Sequence, residues 1–136
     1  VFQKLNQWEK SIDAFDKAIE LDPEKSGLYN LRGFANMQLD NLEDARKDFE
    51  EAIDLDDTPA AHRNLVLYMI MNDQANEAIT YLLDRIRGNP KDVENWILMG
   101  DLMHRAGQTA KARTYYEQAR KMDPDNSYVN EQLSEI

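Results

Sequence analysis

The 136 residues include no cysteine, which removes disulfides and thiolate metal sites and fits any compartment. No apolar run approaches the roughly 20 residues that a membrane span needs, so membrane insertion is not expected. Glycine is scarce, and its five positions at 27, 33, 88, 100 and 107 form neither a P-loop nor a GxGxxG turn. An HExxH pair is also missing. The two histidines, His62 and His104, have no second His or Cys at ligand spacing and read as ordinary partly buried or surface residues. The acidic run Asp54-Leu55-Asp56-Asp57 lacks the glycine and the later glutamate of a calcium loop. These absences lead to three expectations: no enzyme, no cofactor and no metal. Basic charge is in deficit too. Sixteen Lys and Arg face 26 Asp and Glu, for a net charge of −10. The imbalance is concentrated in residues 1–57, with 15 acidic against 7 basic side chains. Such a field repels a phosphate backbone and an anionic bilayer, so no nucleic-acid partner is expected.

What is abundant is repetition. Phe15 to Pro23 reads FDKAIELDP, and the pattern returns as FEEAIDLDD at Phe49 to Asp57 and as YEQARKMDP at Tyr116 to Pro124. A weaker copy runs from Leu82 to Pro90. The anchors at 23, 57, 90 and 124 are spaced 34, 33 and 34 residues apart. A fixed period of that size marks a solenoid of stacked helical hairpins, a shape that offers a long surface to a partner.

Apolar residues recur at helical spacing, as in Ile12, Phe15, Ile19 and Leu21, or Leu42, Ala45, Phe49, Ala52 and Ile53. The pattern predicts helices at about 8–21, 26–39, 42–55, 59–72, 75–88, 93–106, 109–122 and 126–136. Asp22-Pro23, Asn89-Pro90 and Asp123-Pro124 stop helices, because proline lacks a donor and disfavours the α conformation before it. Ser26, Thr58 and Ser127 lie where N-caps are wanted. Glu9, Asp13, Asp16 and Glu20 mark a wet helix face, with Lys10 and Lys17 as countercharge.

Four units in register resemble the tetratricopeptide repeat (TPR) family. The fourth carries Trp96, Met99-Gly100, Ala112, Tyr116, Ala119 and Pro124. The second carries Tyr29, Arg32-Gly33, Ala45, Phe49 and Ala52, with Asp57 for proline, and the first retains Phe2, Trp8, Phe15, Ala18 and Pro23. The third departs most, with His62, Val66, Leu82 and Arg85 at the signature positions. The resemblance implies an all-α, right-handed superhelical solenoid of helix-turn-helix hairpins. It also implies one TPR domain: a partial repeat at 1–25, repeats at 26–58, 59–92 and 93–126, and a capping helix or further repeat at 127–136. Gly33 and Gly100 are expected to face Ala45 and Ala112. Val66 is expected to push its helix outward, and Arg85 to loosen the next junction. The chain opens at Val1, without Met and inside a repeat, and so reads as a piece of a longer protein.

In the family, the first helix of each hairpin (helix A) lines the concave surface. Transferred helix by helix, that wall holds Asn30, Phe34 and Met37 with Gln38, then Arg63, Leu67, Ile70 and Met71, then Ile97, Asp101, His104 and Arg105. Its apolar members suit a peptide or an amphipathic helix of a protein partner, with Arg63, Asp101 and Arg105 setting orientation. The same residues could instead cover one another across tight packing. A chaperone-type carboxylate clamp is rejected: Asn30, Phe34, Asn64, Glu94 and Leu98 stand at its places, and only Asn64 agrees. Two alternatives stay open. One is homo-oligomerisation through exposed ends carrying Trp8, Phe15, Val129 and Leu133; the other is the adaptor part of a larger enzyme.

Overall fold

A computed structural model describes the backbone of residues 2–136 and the side chains of residues 4–136. Phe2, assigned to the first repeat, thus has its side chain outside the described residues. Eight helices follow one another, and no strand occurs among the described residues: α1 (Phe2–Leu21), α2 (Ser26–Gln38), α3 (Leu42–Leu55), α4 (Pro59–Met71), α5 (Ala75–Gly88), α6 (Val93–Arg105), α7 (Thr109–Met122) and α8 (Ser127–Glu135). The chain divides into two compact units, 1–72 and 73–136. Each has the same parts in the same order: a single second-type helix (helix B), one whole hairpin, and a single helix A.

Within each unit, turn chemistry fixes the hairpin. Asp40 and Gly107 take left-handed backbone conformations, with φ of 62° and 77°. Asn41 N–H then reaches back to the Asn36 carbonyl at 2.8 Å, and Gln108 N–H to that of Met103 at 2.9 Å. This is the closure that ends a helix with a left-handed residue. Asp73 has φ 57° at the corresponding place. Thr58 caps α4 as expected, its hydroxyl accepting from Ala61 N–H at 3.2 Å. The other two expected caps are displaced by one residue. Asn126 rather than Ser127 caps α8, accepting from Val129 N–H at 3.1 Å, while Lys25 precedes α2 without a side-chain cap. A carboxamide one residue earlier has the reach to bond the third amide, and Ser127 is then already helical.

The first helix is longer than the periodicity predicts. The pattern places its start near residue 8, yet α1 runs unbroken from Phe2 to Leu21. Neither glycine nor proline lies in that stretch, so the helical ladder satisfies the backbone without a break.

A second tie recurs at the start of each helix A. The large residue of the signature donates back to the proline carbonyl of the preceding turn: Tyr29 hydroxyl to Pro23 at 2.9 Å, Trp96 indole N–H to Pro90 at 2.9 Å. Asn130 makes the same bond to Pro124 at 3.0 Å. Where Asp57 replaces proline, His62 takes the aromatic's place and hydrogen-bonds the Asp57 carboxylate. His62 is buried with that partner, which accounts for it structurally.

The close approach inside each hairpin differs from the expectation. A Cβ on Gly33 would lie 2.7 Å from the Phe49 ring, and one on Gly100 would lie 2.6 Å from the Tyr116 ring. The glycines therefore seat the aromatic of helix B, not Ala45 or Ala112. Those alanines, with Phe49, Ala52, Tyr116 and Ala119, are fully buried. Arg85 also departs from expectation. Its guanidinium bonds Asn95 at 3.3 Å and lies 3.9 Å from Asp92, so it clasps α5 to α6 instead of loosening them.

Gly100→Ala is expected to lower stability by about 1–3 kcal/mol, since a well-packed ring must give way. Tyr116→Leu in the same chain should recover part of that loss, because contacting residues do not act additively. Urea unfolding midpoints of the single and double variants test both statements.

Candidate functional site

The sequence-derived wall separates into residues that face solvent and residues that do not. On α2 and α4, which touch, Phe34, Leu67 and Met71 remain 45%, 39% and 58% exposed. Phe34 and Leu67 hold the same repeat position on neighbouring helices A. Leu31 is exposed beside them, and the Trp8 ring of α1 meets Phe34 edge-on at 5.6 Å. Arg63 is exposed and Ile70 half-buried on α4. Asn30 is half-buried, and its side-chain oxygen is shielded without a hydrogen-bond partner. Met37 and Ile97 do not belong to an open wall. They are 8% and 7% exposed, held in the packing between helices.

In the second unit, the equivalent helix A face is polar. His104 and Arg105 are exposed near the end of α6. Asp101, expected to orient a partner, already has two occupants: the same carboxylate oxygen accepts the hydroxyls of Tyr116 and, at 2.7 Å, Tyr128 of α8. This carboxylate ties helix α8 to the hairpin. Sequence reasoning missed the role because Tyr128 lies outside the repeat signature. Val129 and Leu133, expected on an exposed end, are buried against the hairpin instead, at 0% and 8% exposure. The C-terminal half of the proposed self-association surface is therefore closed.

A charged cluster that periodicity did not reveal lies in the first unit, where α1, α2 and α3 meet around a cleft of about 320 Å³. Arg32 grips Asp48 with two bonds, 3.0 Å from Nε and 2.8 Å from the terminal nitrogen, and reaches Asp16 at 2.9 Å. Asn36 adds a bond to Asp48 at 3.2 Å, and the Tyr29 ring lies 5.5 Å from the guanidinium carbon. Asp48 above all, then Asp16, holds the arginine pKa above its ordinary value against the opposing effect of burial. The only signal in the sequence was Arg32 standing where the signature has leucine. Among the described residues, no group of three His, Cys, Asp or Glu is placed to hold a metal, and no helix is long and apolar enough to cross a membrane.

Three family models, each described as a tetratricopeptide repeat, match residues 1–25, 26–59 and 93–136. Human protein O-mannosyl-transferase TMTC1 is 24% identical over the whole chain, which spans 12% of that protein. Human mitochondrial import receptor subunit TOM70 is 27% identical over 93% of the chain, which spans 22% of it. The chain thus covers well under two thirds of these relatives. Among solved structures, the crystal structure of MamA superposes with a TM-score of 0.65 at 20% identity, covering 96% of this chain and 77% of that one.

The tyrosine pair gives a pH dependence of known sign. Burial, and then the Asp101 bond, pushes the Tyr116 phenol up, and the same causes push Tyr128 up to about 12 from an ordinary 10.0. A value raised in the folded state means stability fully present below pH 10.0 and lost as pH rises through about 12. Thermal melts of the second unit's tyrosine signals between these limits should show falling stability. Tyr128→Phe should flatten that fall.

Replacing Arg32 by methionine strands the buried Asp48 carboxylate. The expected loss is about 3 kcal/mol, read from denaturant unfolding, with part of it recovered when Asp48 is made apolar as well.

Proposed function

Because the chain belongs to the tetratricopeptide repeat family, we propose that it is a non-enzymatic interaction module whose partner is a protein. In this reading the helix A face of the first unit takes a peptide or an amphipathic helix of that partner. The observation that carries it is the exposure of Phe34, Leu67 and Met71, large apolar side chains on touching helices, the first two at the same repeat position. Scattered single apolar residues on a surface need no explanation, but a set aligned along adjacent helices marks a contact site. Trp8 extends the set through its edge contact with Phe34. Helix-in-groove recognition would then present anchors at i, i+3, i+4 and i+7. A receptor subunit, TOM70, is among the relatives, which fits a binding role. The acidity of the chain argues for a partner without phosphate backbone and, near residues 1–57, for basic residues flanking the anchors.

The test is a pair of carboxylates in the middle of the face. Leu67→Asp with Met71→Asp is expected to leave folding within about 1 kcal/mol of the parent, since surface substitutions cost little. Peptides selected from a displayed random library should lose binding to this variant. Each apolar anchor that leaves water is worth roughly 1.5–3 kcal/mol, so losing two weakens binding by roughly 10²–10⁴-fold. An unfolded double variant would assign these residues to the core. A folded variant that still binds would move the site elsewhere.

A further inference from the structure

The two units carry the same cleft at the same place in the repeat, and its chemistry is inverted. In the second unit it lies where α5, α6 and α7 meet, with a volume of about 380 Å³. Ile79 stands where the first unit has Ile12. Beyond that residue the polar network is gone. Leu83 replaces Asp16, Met99 replaces Arg32, Met103 replaces Asn36, and Tyr115 replaces Asp48. In the first unit the arginine bridges two carboxylates across the cleft. In the second, no side chain does the equivalent. Met99 and Met103 form a buried floor, while Ile79, Leu83 and Tyr115 are half-exposed walls. Trp96 packs behind Tyr115, ring centres 6.0 Å apart, and fixes that wall in place. The helix A face changes in the opposite sense, apolar in the first unit and polar in the second.

The rim supplies a charge. Lys111, on the turn where the first unit has Asp44, is the one charged residue lining this cleft. It is exposed and makes no ion pair among the described residues. The whole of α7 is basic, with Lys111, Arg113, Arg120 and Lys121 against Glu117 alone, within a chain of net charge −10. Its counterpart α3 is strongly acidic.

We infer that the α5–α6–α7 cleft is a second binding site, taking a peptide segment in which one aliphatic or aromatic side chain is followed by a carboxylate. The apolar side chain enters between Leu83 and Tyr115 onto the methionine floor, whose unbranched thioethers adapt to different anchors. The carboxylate meets Lys111, and the surrounding field of α7 favours its approach. This site is in the second unit, the helix A surface is in the first, and the proposal does not rest on that surface being used.

The test follows the methionine methyl signals in a carbon-13 NMR spectrum while acetyl-Ala-Leu-Asp-Ala-amide is added, with acetyl-Ala-Leu-Lys-Ala-amide as the control. The aspartyl peptide should shift the Met99 and Met103 signals and leave those of Met37 and Met69 in place. The lysyl peptide should bind more weakly by about two- to fivefold, the worth of one exposed ion pair. Lys111→Glu, at an exposed position, should reverse that order, and Leu67→Asp with Met71→Asp should not alter it. Three results would overturn the proposal: no shift at Met99 and Met103, a peptide preference indifferent to Lys111→Glu, or self-association by light scattering that Lys111→Glu abolishes. The last would give the cleft to a second copy of the chain.

Discussion

The contact on which each hairpin depends is a ring seated on a glycine. Phe49 presses on Gly33 and Tyr116 on Gly100, closer than any Cβ would permit. That approach brings α2 onto α3 and α6 onto α7 at backbone distance, and it buries the alanines around the ring. It also fixes which side of helix A faces inward. Phe34 lies one residue beyond Gly33 and faces solvent, whereas Asp101, one beyond Gly100, is met by the hydroxyl at the far end of the Tyr116 ring. In the third repeat Val66 and Leu82 stand at the glycine and ring positions, so that pairing of residue types is missing there.

Fixed backbone geometry leaves the repeat free to vary its side chains by face. The first unit spends its polar residues in the cleft between α1, α2 and α3, where Arg32, Asp48, Asp16 and Asn36 satisfy one another. Its apolar surplus is on the helix A face. The second unit reverses this. Its helix A carboxylate, Asp101, is absorbed by two tyrosines, and its apolar surplus lines the cleft over Met99 and Met103. A buried carboxylate without partners is costly, so each polar group in these clusters is matched or tied. The methionine cleft has no such internal match for Lys111 at its rim.

The helices and their order were legible from residues alone. Seven of the eight were placed within one residue at both ends, since proline, asparagine and left-handed Asp or Gly are local signals. The exception has a local cause too, since α1 has no residue that demands a break; α2, α4 and α6 each end one residue early, where a left-handed turn closes them. The helix A wall was only partly legible. Spacing places Phe34, Leu67 and Met37 on one helix face, yet Met37 and Ile97 prove buried while Phe34 and Leu67 do not. Residues three apart on a helix differ by about 60° in direction, and a neighbour decides which of them it covers.

By itself, then, the sequence determined the period, the helical hairpins, the turn residues and the family, because each of these follows from short-range preferences repeated four times. It also set the acidic field and the absence of catalytic motifs. Tertiary structure decided what no spacing encodes. It set Arg32 against two carboxylates from other helices, gave Asp101 to Tyr128 from beyond the repeat, and covered Val129 and Leu133. It also brought Leu83, Met99 and Tyr115 from three helices around one cleft. Those outcomes depend on which side chains meet across helices, and a pattern along one chain carries no record of distance between elements until they pack.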